Sequence, residues 1–407
     1  MKKLIYTLAF VLILQCIYLG GNIQNCSAQW QSDVRLTNND SISYPYNFNN
    51  AWCVASSGSV VHVVWFDKRD GNYEIYYKRS TDAGVNWGTD TRLTSNSSDS
   101  RYPSVAVSGS IIHVVWYDNR DGNNEIYYKR STDAGVSCVA DTRLTNNTGN
   151  SRSPSVAVTG SVVHIAWEDN RNANYDIYYK RSSDGGISWG TDVRMTNNNS
   201  SYSESASITV SGSVVHVVWQ DYRDDGNYEI YYKRSTNDGV SWGADTRLTN
   251  STSNSSSPSV SVSGSVVHVA WQDYRDGDWE IYYKRSTNDG VSWGVDTRLT
   301  NNTSDSYSPS VAVSGSVVHV VWYDYRDGNY EIYYKRDPTG NPIGIQNIST
   351  ETPSKYSLSQ NYPNPFNPTT VISFQLSVAG QVVLKVYDVM GREVQTLVNE
   401  SLKPGTY

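Results

Sequence analysis

The 407-residue chain is long enough for two or three domains, and its net charge of −7 gives it no basic excess with which to neutralise phosphates, so nucleic acid is not an expected partner. With 32 Tyr and 13 Trp against 5 Phe it favours pleated sheet, and 4 Cys are too few for a disulfide scaffold. A helical bundle, a disulfide-rich miniprotein and a multi-span membrane protein are therefore excluded.

The chain opens on Met1-Lys2-Lys3, an uncharged apolar run over residues 4–19, and Cys26-Ser27-Ala28. That order of basic, apolar and small residues predicts a secretory signal peptide over 1–28, cleaved after Ala28. A retained membrane anchor is the alternative, but the run is slightly short for a span. The mature protein is then expected outside the cell or on its outer surface, reached through the periplasm, with no membrane span. Only Cys53 and Cys138 remain in it.

Residues 29–336 are one unit repeated six times. All six His stand at one repeat position, His62, His113, His164, His216, His268 and His319, spaced 51 or 52 apart. Such a period marks a repeat architecture. In the second unit, turn residues divide the sequence into strands A (104–107), B (111–117), C (125–130) and D (142–145). Strand B is apolar throughout and needs cover on both faces. Four short antiparallel strands per unit make one propeller blade. The predicted fold is all-β, a six-bladed propeller, and the chain is expected to be a monomer.

The sixth unit lacks a strand D, and a spare one stands at residues 30–37, where Trp30 to Thr37 matches Trp87 to Thr94. The N-terminal strand is expected to complete the last blade and remove the open edges.

Between strands C and D runs Ser-x-Asp-x-Gly-x-x-Trp, as in Ser80 to Trp87 and Ser182 to Trp189. Units four and five place Asn-Asp where the others have Asp-x, and in unit two Cys138 replaces the Trp. This pattern resembles the Asp-box repeat of the sialidase-like propellers. In physical terms it is a folding device, with Asp bonding the turn backbone, Gly at φ > 0 and Trp under the hairpin. Cys138 is accordingly expected to be buried there, unlinked to Cys53 in strand A of blade one.

The repeated polar residues read as structural. Equivalent His on neighbouring blades are too far apart to share a metal, so a buried His hydrogen-bonded between blades is expected, with no metal and no cofactor. The B–C loops repeat Asp-x-Arg-Asp-Gly, as at Asp67, Arg69 and Asp70. Arg69 stands where a calcium loop requires Asp or Asn, so a tight turn with an Asp–Arg pair is expected, forming a charged collar. The Tyr76-Tyr77-Lys78-Arg79 copies read as strand C packing with snorkelling cations.

A site for one small ligand needs broken symmetry. The residue two before the strand-A Pro position reads Arg101, Arg152, Glu204, Ser256 and Tyr307. Unit one carries an insertion over residues 46–52. In the resembled family strand A is innermost, which implies that these residues ring the axial mouth, opposite the Asp boxes. Arg101 and Arg152 suit an acidic ligand, and Tyr46, Phe48 and Trp52 could stack on a sugar.

After Arg336 the chain changes character. Residues 337–357 read as a linker. Residues 358–407 contain Asn-Tyr-Pro-Asn-Pro-Phe-Asn-Pro and strand-like runs at 371–376, 382–387 and 393–398. This block resembles the C-terminal sorting domain of type IX secretion substrates, which implies a small β-sandwich, here expected to be truncated at Tyr407, and the secretion machinery as a partner.

Two functions follow. Near-identical blades favour a non-catalytic surface propeller that binds a glycan or a protein. The alternative is a sialidase-type hydrolase. Arg101-Tyr-Pro103 and Arg152-Ser-Pro154 match that family's Arg-x-Pro spacing, and the resemblance implies Tyr307 as nucleophile with Glu204 as its partner. A Phe/Tyr-Arg-Ile-Pro motif, a third Arg and an assignable acid Asp are absent.

Overall fold

A computed structural model describes residues 35–39, 41, 43–44, 53–197, 201–224, 226–337, 353–359, 372–387, 393–402 and 404–406. The chain divides into two compact units, one of which is Asp33–Gly340.

That unit is built of antiparallel blades. Blade two runs A (Ser100–Ser108), B (Ile111–Asp118), C (Glu125–Ser131) and D (Thr142–Arg143), hydrogen-bonded in that order. Blades three, four and five repeat it from strands A at Ser151–Thr159, Ser203–Ser211 and Ser255–Ser263. Among the described residues blade six has three strands, Ser306–Ser314, Val317–Asp324 and Glu331–Asp337. In blade one, strand A is split into Ser43–Tyr44 and Val54–Ser57, both paired with strand B at Val60–Asp67. The insertion falls in the gap.

Strand A starts four residues earlier than its apolar pattern predicts, at Ser100 rather than residue 104. The reason is a β-bulge. Arg101 pairs with Tyr117 and Ser104 with Val115, so Tyr102 and Pro103 share the space opposite Trp116. A bulge tolerates Pro, which has no N–H to give to the ladder. The residue before each Pro, or before Ala206 in blade four, is left-handed: Tyr102, Ser153, Ser205, Ser257 and Ser308 have φ between 47 and 58°.

Neighbouring A strands lock together through one serine per blade. Ser104, Ser155, Ser207 and Ser259 Oγ accept from the backbone N–H of Val156, Ile208, Val260 and Val311 at 3.1–3.3 Å. Strand B is sandwiched between blades, and Trp116, Trp167, Trp219 and Trp271 are buried there.

Each His pairs within its own blade rather than between blades. Nδ1 lies 2.6–2.7 Å from the strand-C Tyr hydroxyl, as in His113 with Tyr128. Strand C runs beside strand B, which places the two rings side by side before a neighbouring blade can be reached. Burial, aided by a nearby Arg, lowers five of these imidazoles to about 4 and holds them neutral.

The C–D turn works as a backbone clasp. Asp82 Oδ1 accepts from Asn86 N at 2.8 Å, and Ser80 Oγ from Gly84 N at 2.8 Å. In blades four and five Asn237 and Asn288 take the Asp role, and Asp238 and Asp289 occupy the left-handed position. The turn Trp also reaches across the blade boundary: Trp189, Trp242 and Trp293 meet Tyr128, Tyr179 and Tyr232 of the preceding blade edge-on, at 4.8–4.9 Å between ring centroids. A Cβ on Gly186 would stand 1.9 Å from the Tyr128 hydroxyl, so only Gly fits. Cys138 is exposed, contrary to expectation, at the position that Trp189, Trp242 and Trp293 fill in the later blades. Cys53 is half-buried and the two are not linked; burial pushes the Cys53 thiol up to about 12.

The B–C loops carry the expected Asp–Arg pairs inside a larger network. Arg69 binds Asp67 and Asp90 at 2.7 Å, Lys78 also holds Asp90, and the guanidinium stacks on Tyr76. Asp67 and Glu74 are fully buried, so these acids are internal staples and not an open collar.

The N-terminal strand bears on closure. Residues 30–34 lie outside the described residues. The described residues between Arg35 and Tyr44 follow the course of a strand-D-to-A connection against blade one, with Asn39 and Ser43 bound to Asp67 as Asn96 and Ser100 are to Asp118. Among the described residues nothing covers the outer strand of blade six: Ile332 is 74% exposed, where Ile75, Ile126, Ile177, Ile230 and Ile281 are at 0%.

The C-terminal residues form strands Ser357–Leu358, Phe374–Leu376 and Gly405–Thr406 in one sheet, and a hairpin of Gly380–Tyr387 with Glu393–Leu402. Phe374 and Leu376 pack with Leu358, Val382 and Leu384.

Candidate functional site

The bulge brings four variable positions of each blade to one end of strand A. They are the residue before the bulge, the bulge residue itself, the middle residue of the strand-B Trp-x-Asp, and the residue before the acid that opens strand C. The Ser-x-Asp turns lie at the other end, where Ala134 N bonds Ser110 O in the A–B turn at 2.9 Å. At the bulge end is a cavity of about 590 Å³, lined among others by Arg152, Glu168, Glu204, Tyr228 and Trp279.

This mouth is two-sided. In blades one and two Tyr44, Phe66, Tyr102 and Tyr117 form a continuous aromatic chain with centroids 5.2–5.4 Å apart. In blades three to five the same positions hold Arg152, Glu168, Glu204, Gln220, Ser256 and Gln272. A second aromatic group, Trp279, Tyr307, Tyr323 and Tyr330, follows in blades five and six.

The polar arc is fixed by bonds between blades. Glu168, Gln220 and Gln272 each accept from the bulge N–H of the next blade, that of Ser205, Ser257 or Ser308, at 2.8–3.0 Å. Glu168 also accepts from Ser153 Oγ at 3.2 Å and lies 3.4 Å from Arg152. Burial pushes its carboxyl above the ordinary range; Arg152 pulls it back, and the charge of Glu204 adds to the rise. Arg152 stacks over Tyr175 at 4.2 Å, and its buried Nε has no partner among the described residues.

The residues singled out in the sequence fall as follows. Arg152 and Glu204 line the cavity. Arg101 binds Asp99 at 2.6 Å and stacks on Tyr73; it is not among the lining residues. Tyr307 donates to Asp305 at 2.8 Å, while Glu204 accepts from Tyr228 at 3.0 Å, so the structure pairs Glu204 with a different tyrosine. Burial and then Glu204 push the Tyr228 phenol above its ordinary range, and Tyr307 is raised likewise by burial and Asp305. Tyr46, Phe48 and Trp52 lie outside the described residues. Glu168, Tyr228 and Trp279 were missed by sequence reasoning. Their signal was present, since Trp-x-Asp reads Phe66, Tyr117, Glu168, Gln220, Gln272 and Tyr323 between otherwise constant neighbours.

No family model and no curated protein matches the chain. Solved structures do. A protein of unknown function from Dyadobacter fermentans aligns with a TM-score of 0.55 at 13% identity, covering 73% of this chain and 98% of that one. The Hadza microbial sialidase Hz136 aligns at 0.50 and 14%, covering 72% of this chain, which spans 65% of the sialidase. The GH93 α-L-arabinofuranosidase of Fusarium graminearum, solved with arabinobiose, aligns at 0.50 and 13%, covering 73% and 98%. At these identities the likeness concerns the fold alone: the chain has the β-propeller architecture that the sialidase and the GH93 arabinofuranosidase share.

Proposed function

We propose that the protein is an exported propeller that binds a glycan in the axial mouth between blades two and five. The observation that carries this reading is the two-sided cavity, in which aromatic rings face an arc of fixed hydrogen-bonding groups in a volume of about 590 Å³. A sugar has the matching faces, with C–H groups on one side and hydroxyls around the rim. Pockets of this size combine an apolar wall with a few placed polar groups. Broken symmetry adds support, because the blade-to-blade differences collect in the mouth while the framework residues repeat. A glycan array probed with the full chain tests this: binding should appear and should be lost in Trp279→Ala combined with Tyr228→Ala. An array without hits, or hits unaffected by the pair, rejects it.

A second reading, glycoside hydrolysis, is favoured by one observation. Glu168, buried and shifted toward its protonated form, and Glu204 share the cavity, which is the pairing a two-carboxylate hydrolase needs. In that reading Glu168 is the acid and Glu204 the carboxylate. Turnover of aryl glycosides, abolished in Glu168→Gln, would establish it.

For export, the reading is that residues 1–28 are removed and residues 358–407 address the protein to type IX secretion. The Asn-Tyr-Pro-Asn-Pro-Phe-Asn-Pro block and a small all-β C-terminal unit support this.

A further inference from the structure

The charge of the mouth decides what kind of glycan fits it, an inference that rests on the mouth being a glycan site. Among the described residues the cavity is lined by one cation, Arg152, and two carboxyls, Glu168 and Glu204. With both carboxyls ionised the lining carries one net negative charge; with Glu168 protonated it carries none. In neither state is there a positive excess to receive an acidic sugar. Arg152 is also committed by geometry. One guanidinium nitrogen lies 3.4 Å from Glu168, and the planar face rests on Tyr175. Arg101, the matching strand-A residue of blade two, is held by Asp99 and Tyr73. A carboxylate entering the mouth would have to displace Glu168, which is 6% exposed and bound by Ser153 Oγ and Ser205 N, or sit beside Glu204. Both cost free energy through like-charge repulsion or an unpaired buried carboxylate.

We infer that the mouth selects an uncharged saccharide and rejects uronic and sialic acids, with Glu168 as the residue that sets this selectivity by neutralising Arg152. The remaining groups suit neutral hydroxyls: Glu204 accepts at the rim, and the Gln220 amide can accept or donate.

Glu168→Gln is a clean test, because the same ring position is already Gln220 and Gln272 in the next two blades. Those amides accept from Ser257 N and Ser308 N in the manner of Glu168 from Ser205 N. The variant should therefore fold, and it leaves Arg152 without its counter-charge. The experiment is titration calorimetry of the full chain and of Glu168→Gln. The probes are neutral arabino-, xylo- and galacto-oligosaccharides, with sialyllactose and oligogalacturonate as acidic ones. Wild type should bind at least one neutral probe and neither acidic one, and Glu168→Gln should gain about 10-fold or more for an acidic probe, the scale of one charge-assisted contact. Acidic probes binding wild type as tightly as neutral ones, with loss in Arg152→Ala, overturns the selectivity while leaving the glycan site standing. No gain in a folded Glu168→Gln overturns the role of Glu168. Failure of every probe rejects the glycan reading itself, and the inference with it.

Discussion

Replacing Ile332 by Ala probes whether the ring closes. The repeat predicts the register of the missing strand. Strand D pairs through Tyr76 with Arg92 and Tyr77 with Thr91, so Tyr333 should meet Arg35 and Tyr334 should meet Val34. Part of the closed arrangement is already visible: Lys78 Nζ donates to Leu36 O as Lys129 does to Leu93 O, and Arg35 Nε donates to Thr37 O at 2.7 Å as Arg92 does to Thr94 O. Arg35 should then reach Glu331, as Arg92 reaches Glu74 at 2.7 Å. On closure Ile332 passes from 74% exposed to the full burial of its five counterparts. Truncating a buried Ile costs about 2–5 kcal/mol, and an exposed one changes stability by within about 0.5 kcal/mol. Urea unfolding of the full chain should show Ile332→Ala lowering the midpoint about as much as Ile230→Ala, and Arg35→Ala lowering it by a smaller step. A midpoint unchanged by Ile332→Ala, beside a clear loss in Ile230→Ala, refutes closure by the N-terminal strand.

Other outcomes follow from the same interactions. Gly186→Ala drives a methyl into the Tyr128 hydroxyl and should cost about 1–3 kcal/mol, read as a lower urea midpoint; an unchanged midpoint would show that the turn moves freely. The buried His have folded values of about 4, below the ordinary 6.5, so the unfolded chain takes up protons first as pH falls. The stability of neutral His is therefore complete above about pH 6.5 and lost toward pH 4, at up to about 1.4 kcal/mol per pH unit for each proton. A urea midpoint that stays flat from pH 7 to 4.5 contradicts this. Native-state alkylation should label exposed Cys138 well before Cys53, whose thiol burial holds protonated; equal rates would refute that difference.

The framework was legible because it repeats. Six copies of His and Trp and five of the Ser-x-Asp/Asn turn placed the strands and the blade period without any three-dimensional information. The bulge was not legible, since Pro103 reads locally as a strand boundary, while the neighbouring blade keeps the chain paired on both sides of it. The partners of the site residues were also hidden. Glu204 and Tyr228 are 24 residues apart and meet only because the bulge and the loop before strand C converge on the mouth. Glu168 was overlooked because it follows a Trp in an apolar strand, where an acid reads as the strand end. Its bonds come from Ser153 of its own strand A and Ser205 of the next blade. The contact of the C–D turn Trp with the preceding blade was hidden, because a single unit cannot show which blade it reaches.

The most direct test of the glycan site is a crystal structure of the full chain grown with the neutral oligosaccharide that binds best. The sugar should lie in the axial mouth, one face against the rings of Tyr102 or Trp279 and its hydroxyls within hydrogen-bonding distance of Glu204 and Arg152. A sugar seated on the Ser-x-Asp turns or the outer strands, with the mouth filled only by water, would contradict the account.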